Sequence, residues 1–122
     1  MKPSPLILSI VLSILVITGI NQAQAHAFLD KSDPGVGSQL SKAPTQVKIW
    51  FTEKLEPAFS SITVCDSSGK QIDKKDSHVD PSNEAILMVS VSSLPPGTYK
   101  VSWKVVAEDT HHTQGSFSFV VK

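Results

Sequence analysis

The residues of this chain able to do chemistry are few: four histidines, one cysteine and a modest set of carboxylates. Asp109-Thr110-His111-His112 sets a carboxylate and an imidazole two positions apart. In extended chain such positions share a side, so Asp109 and His111 converge on one point while Thr110 and His112 face away. His26 follows directly on Ala23-Gln24-Ala25, which has small residues at the two positions a signal peptidase reads. Cleavage there makes His26 the amino terminus, and its free α-amine and ring Nδ1 can close a six-membered chelate on one ion. Adding His111 and Asp109 gives three nitrogens and one oxygen, a set that suits tetragonal Cu(II), the divalent ion at the top of the affinity order. Zinc could use two imidazoles and a carboxylate in a tetrahedral site, and ligand type favours copper over it. The plain alternatives are a histidine left by chance at a cleavage point and a solvated turn at a strand end.

Other reactive residues read as structural or solvated. His78 lies in a charged connector, Lys74-Lys75-Asp76-Ser77-His78-Val79-Asp80. Met88, the one methionine beyond Met1, sits in an apolar run where methionine usually fills core gaps, so a thioether Cu(I) site is not expected. Cys65 alternates away from Ile62 and Val64; it is either a small strand residue or an unpaired thiol open to Cu(I) or oxidation. Trp50 and Trp103 read as packing residues. No catalytic set is expected, for the chain has no G-x-S-x-G elbow, phosphate-binding loop or paired-carboxylate arrangement.

These groups must be held by a small scaffold. Lys2 and the uncharged apolar stretch from Pro5 to Ile17 read as a secretory signal, residues 1–25, cut after Ala25. A retained membrane anchor is the alternative, but polar Asn21, Gln22 and Gln24 lead into the cleavage site without a basic stop-transfer flank. Residues 26–122 then form one soluble domain in an exported compartment, most simply a periplasm, with no further membrane insertion. Eleven Lys and no Arg balance eleven Asp and Glu, which argues against nucleic acid. A single Cys excludes a disulfide scaffold and any Cys-rich zinc site.

Along residues 26–122 apolar side chains recur every second position. Val47, Ile49 and Phe51 alternate with Lys48 and Trp50; Ile62 and Val64 with Ser61, Thr63 and Cys65; Tyr99, Val101, Trp103 and Val105 with Lys100, Ser102 and Lys104; Phe117, Phe119 and Val121 with Ser116 and Ser118. Those are strands with one buried face. Asp33-Pro34-Gly35, Asp66-Ser67-Ser68-Gly69, Asp80-Pro81-Ser82-Asn83 and Pro95-Pro96-Gly97 supply turns between them. Shorter strands near His26 to Leu29, Lys70 to Asp73 and Ala85 to Val91 bring the count to about seven. The expectation is an all-β, immunoglobulin-like Greek-key sandwich or barrel with almost no helix.

Several ordered segments carry a resemblance: His26-Ala27-Phe28-Leu29 after the cleavage site, Ser32-Asp33-Pro34-Gly35, Phe51-Thr52-Glu53-Lys54-Leu55-Glu56-Pro57-Ala58-Phe59-Ser60, Leu94 to Trp103, and Asp109-Thr110-His111 followed by Gly115 to Val121. Together they resemble the CopC family of exported copper-binding proteins over residues 26–122. The resemblance implies a seven-stranded Greek-key barrel or sandwich holding one Cu(II) per chain through His26, Asp109 and His111. It implies copper handling in the periplasm, as a monomer, with a CopD-type inner-membrane protein as a partner. Many relatives carry proline where this chain has His112. His112 and Glu53 are the candidates for auxiliary roles, Glu53 by analogy as an acceptor that orients a copper-bound histidine.

Three functions compete on this reading. One is a copper carrier or sequestering protein. A second is a copper oxidase or monooxygenase, because an amino-terminal histidine with a second histidine also serves lytic polysaccharide monooxygenases. Asp109 speaks against it, since an equatorial carboxylate occupies the position where oxygen would bind. The third is a metal-free immunoglobulin-like interaction module.

Overall fold

Alternating side chains along each strand assemble two four-stranded sheets into a sandwich. The structure is a computed structural model describing residues 27–122. The proposed signal segment, His26 and the start of the expected first strand lie outside the described residues. The strands are β1 (Leu29–Asp33), β2 (Gln39–Leu40), β3 (Gln46–Phe51), β4 (Ser61–Cys65), β5 (His78–Asp80), β6 (Asn83–Ser90), β7 (Gly97–Val106) and β8 (His112–Val121). One sheet has the order β1-β3-β6-β5 and the other β2-β8-β7-β4. The chain crosses between sheets after β1, β2, β3, β4 and β6. Among the described residues only the β2–β8 pair is parallel, by two residues. A single 3₁₀ turn, Pro57–Phe59, is the helical content among the described residues.

The inward faces meet in one core. Val47, Ile49 and Phe51 of β3 and Leu87 and Val89 of β6 pack against Ile62 and Val64 of β4, Tyr99, Val101, Trp103 and Val105 of β7, and Phe117 and Phe119 of β8. Trp103 meets Phe51 edge-on at 5.1 Å, as ring quadrupoles prefer. Across the ladder, Gly115 leaves room for the same indole: a Cβ there would stand 2.6 Å from Trp103 Cζ2.

Two expectations need correction. Lys70 to Asp73 forms no strand, only isolated bridges from Gln71 to Cys65 and from Asp73 to Val91. The buried Asp73 carboxylate takes over instead, accepting the amides of Val64 and Lys75 at 2.8 Å each. Met88 is not a core gap-filler. It stands half-buried on the outer face, opposite Lys48 and His78. Trp50 lies on the outer side of β3, as its alternation with Val47, Ile49 and Phe51 implies: Lys31 and Lys48 place their ammonium groups 4.6 Å and 5.0 Å from its ring centroid, and its ladder partner Ile86 is buried beside it.

Candidate metal centre

β7 and β8 pair through ten positions, from Gly97 with Val121 to Val106 with His112. The five residues left over, 107 to 111, close this hairpin. Thr110 N–H donates to Ala107 C=O at 2.8 Å and Ala107 N–H to His111 C=O at 3.0 Å. Thr110 turns through φ +70°, a left-handed conformation uncommon for a threonine. Asp109 braces the turn, its Oδ1 accepting His111 N–H at 3.2 Å and its Oδ2 lying 3.0 Å from His111 Nδ1. The two side chains therefore meet as expected, but by a different route. The chain between them is a turn, not the extended strand assumed in the alternation argument.

Two other segments buttress this loop. Residues 52 to 56 are stitched to it by Glu108 N–H to Lys54 C=O at 3.1 Å and Glu56 N–H to Val106 C=O at 2.7 Å. Leu55, buried, bridges Ala107. Buried Ser60 accepts Val106 N–H on its hydroxyl at 3.2 Å. The amino-terminal segment arrives from the other side. Ala27 is fully buried, and Thr113 donates its hydroxyl to the Ala27 carbonyl at 2.7 Å. Phe28 and Thr52 exchange bonds, Phe28 N–H to Thr52 Oγ1 at 3.0 Å and Thr52 N–H to Phe28 C=O at 2.9 Å.

The pair itself faces solvent, with His111 54% and Asp109 43% exposed. It sits at the acidic end of the molecule. All four glutamates of the chain, Glu53, Glu56, Glu84 and Glu108, belong to segments joined at this end, with Lys54 among them. The far end, where β7 begins and β8 finishes, gathers Lys42, Lys70, Lys74, Lys75, Lys100 and Lys122.

Of the residues singled out in the sequence, the structure brings Asp109 and His111 together. Among the described residues no three His, Cys, Asp or Glu side chains cluster to hold an ion, and His26 lies outside them. His112 begins β8 and lines a shallow apolar depression with Glu56, Phe59, Val106 and Thr110. Glu53 is exposed in the buttressing loop, and among the described residues no hydrogen bond joins it to Asp109 or His111. Cys65, partly buried, pairs with Lys100 near the opposite end. A cleft of about 530 Å³ also lies at that far end, between Asp66 to Asp73 and Ser92 to Tyr99, so cavity size does not point to this loop. Sequence reasoning missed Thr113, Thr52 and Ser60. Their hydroxyls act across long stretches of chain, and no local pattern announces that.

Comparison with known proteins bears on this loop. A family model described as the CopC domain matches residues 29–122. The copper transport protein CutJ of Bacillus subtilis is 36% identical over 98 residues, covering 80% of this chain but only 18% of that protein; the chain thus spans less than a fifth of CutJ's length. Copper resistance protein C of Pseudomonas syringae pv. tomato is 33% identical over 108 residues, covering 82% of this chain and 83% of the relative. Among solved structures, the crystal structure of CopC from Methylosinus trichosporium OB3b superposes with a TM-score of 0.71 at 30% identity, covering 80% of this chain and 94% of that one.

Proposed function

The chain belongs to the CopC family, and from that premise we propose that it is an exported, periplasmic copper-binding protein holding one Cu(II) through His26, Asp109 and His111. The relatives' names supply copper; the observation that carries the site is the 3.0 Å approach of Asp109 Oδ2 to His111 Nδ1. Two ligands at right angles on an ion, with bonds of about 2.0 Å, stand about 2.8 Å apart. The metal-free pair is therefore already near the separation that neighbouring ligands need. A hydrogen bond now spans the gap, and an ion displaces its proton.

The Thr113 to Ala27 bond supports the remaining ligand. It fixes the start of the described chain on the strand that follows His111. His26 is one peptide unit, about 3.8 Å between Cα atoms, before Ala27. Cleavage after Ala25 gives that residue the α-amine and imidazole of a chelate. Three nitrogens and the Asp109 oxygen then fill the equatorial positions of one Cu(II).

This set suits holding and handing on better than turnover. With a carboxylate in the plane, an oxidase lacks the open position it needs for oxygen. We therefore read the protein as non-catalytic, a monomeric carrier or store that exchanges copper with a CopD-type protein of the inner membrane. The acidic end favours approach of a cation over an anion.

The test depends on one bond. Protein beginning at His26 is compared with protein carrying one extra Gly or Met before it, the fold of both being checked by circular dichroism. An extension converts the α-amine to an amide and removes the chelate ring, so Cu(II) affinity falls on the order of a thousandfold and the paramagnetic resonance spectrum changes. Equal affinities and spectra would refute the amino-terminal site. Failure of both forms to bind Cu(II) would favour the metal-free module.

A further inference from the structure

Positive and negative side chains nearly balance over this chain, yet they are sorted to opposite ends of the sandwich. The glutamates gather around the Asp109–His111 loop, and Lys42, Lys70, Lys74, Lys75, Lys100 and Lys122, all exposed, gather at the far end. Strand ends and turns place them there. Lys70 closes the turn after β4, its carbonyl accepting Asp66 N–H at 2.9 Å. Lys74 N–H donates to the carbonyl of Ser90, where β6 ends, at 2.9 Å, and Lys75 follows with a φ of +58°. Lys100 stands opposite Cys65 near the start of β7. Lys122 N–H donates to the Leu40 carbonyl at 2.8 Å, which brings it close to Lys42.

Asp66, Asp73 and Asp76 stand among these lysines, and backbone amides hold all three carboxylates. Buried Asp73 accepts the Val64 and Lys75 amides, Asp66 Oδ1 the amides of Ser68 and Lys70 together with the Ser68 hydroxyl, and Asp76 Oδ1 the Ser90 amide. Among the described residues no lysine forms an ion pair. The ammonium groups therefore face solvent with their charge uncompensated at close range. The cleft of about 530 Å³ opens at this same end, lined by Lys70 and by the hydroxyl-bearing Ser67, Ser92, Ser93 and Thr98, and Asp66 and Asp73 line it as well. An ammonium and several hydroxyls suit the oxygens of a phosphate group.

We propose that the lysine-rich end docks on the surface of an anionic phospholipid membrane, with one phosphate-bearing headgroup seated in the cleft and the surrounding lysines on its neighbours. The spread of charge selects a surface over a single small anion: of the six lysines only Lys70 lines the cleft, and an array of headgroups reaches the others too. Each lysine near an anionic surface adds attraction, which salt screens. The same surface repels the glutamate-rich end, so the adsorbed molecule points its Asp109–His111 loop away from the lipid. Neither end shares a residue with the other, so docking and Cu(II) binding are tested separately.

Metal-free protein beginning at His26 is sedimented with vesicles of phosphatidylcholine alone and with vesicles in which about a third of the lipid is phosphatidylglycerol. Partitioning onto the anionic vesicles should be about tenfold or more the stronger, and should fall away in high salt. The triple variant Lys70→Gln, Lys74→Gln, Lys75→Gln should lose about tenfold or more of that partitioning. Lys31→Gln with Lys48→Gln, which removes charge from the outer face of the β1-β3-β6-β5 sheet, should stay within about twofold. Circular dichroism checks that the variants fold, and the comparison of the two vesicle types with unaltered protein decides the matter if they do not. Soluble glycerol phosphate is the second arm: if it shifts the Lys70 and Ser93 amide resonances while the anionic vesicles leave the protein in solution, the cleft serves a free phosphate ester and the membrane proposal is overturned. Equal partitioning onto both vesicle types, or equal losses in both sets of variants, would overturn it too.

Discussion

His111 and His112 are chemically identical and adjacent, yet they stand in different surroundings. His111 closes the hairpin turn against Asp109; His112 begins β8 beside Phe59 and Val106. On the proposed function, His111→Ala removes a ligand from a preformed pair, and Cu(II) affinity should drop by about a hundredfold or more, while His112→Ala should stay within about threefold of the parent. Competitive titration with a calibrated chelator measures both. Equal losses would make His112 a partner in the site. The D-x-H spacing was legible because it is local. The turn that joins its ends was not, since Thr110 in a left-handed conformation carries no glycine or asparagine to announce it.

At the scale of elements, the amino-terminal segment is coupled to β8 by one hydroxyl. Thr113→Val keeps the shape and β-branching but leaves the Ala27 carbonyl without its 2.7 Å donor. Chemical denaturation should show a loss of about 1 kcal/mol. Copper affinity should fall as well, because the Ala27 anchor would be looser; unchanged affinity would show that β8 does not position the amino terminus. Period-two alternation revealed β3, β4, β7 and β8, whose polar and apolar residues separate cleanly. It failed over Ala85-Ile86-Leu87-Met88-Val89, where a continuous apolar run gives no sign of which residue faces in. Register with β3 decides there, sending Ile86 and Met88 outward. It failed too at β2, which has only two residues, and at β5, whose charged surroundings resemble a solvated connector. Asp73 explains the missing strand near Lys70: a side chain accepts the Val64 amide that a neighbouring backbone would have taken.

The whole molecule should be sensitive to acid. Hydrogen bonds from Ser68 and the Lys70 amide hold the Asp66 carboxyl below its ordinary 3.8. Ser90 does the same for Asp76, and the Ser82 amide and hydroxyl for Asp80. All three therefore bind protons more weakly in the folded chain than in the unfolded one. Their stabilisation is complete above the ordinary value and is lost as pH falls through the lower folded values. Urea midpoints should hold from pH 7 to 5 and decline below about pH 4, with a shallower decline in Asp76→Asn. A midpoint constant down to pH 2 would contradict this. A last consequence follows from the Thr113 to Ala27 bond, which joins residues 86 apart in sequence. The β7–β8 hairpin can form early because its partners are neighbours in the chain, whereas contacts between distant ends wait on the entropy of closing a long loop. The Asp109–His111 pair can thus form before the amino terminus reaches it. On the proposed function, capture by the full ligand set then comes last in time as well as in space: a chain still folding offers the ion the His26 chelate and the Asp109–His111 pair as separate fragments, and only the folded protein brings them together.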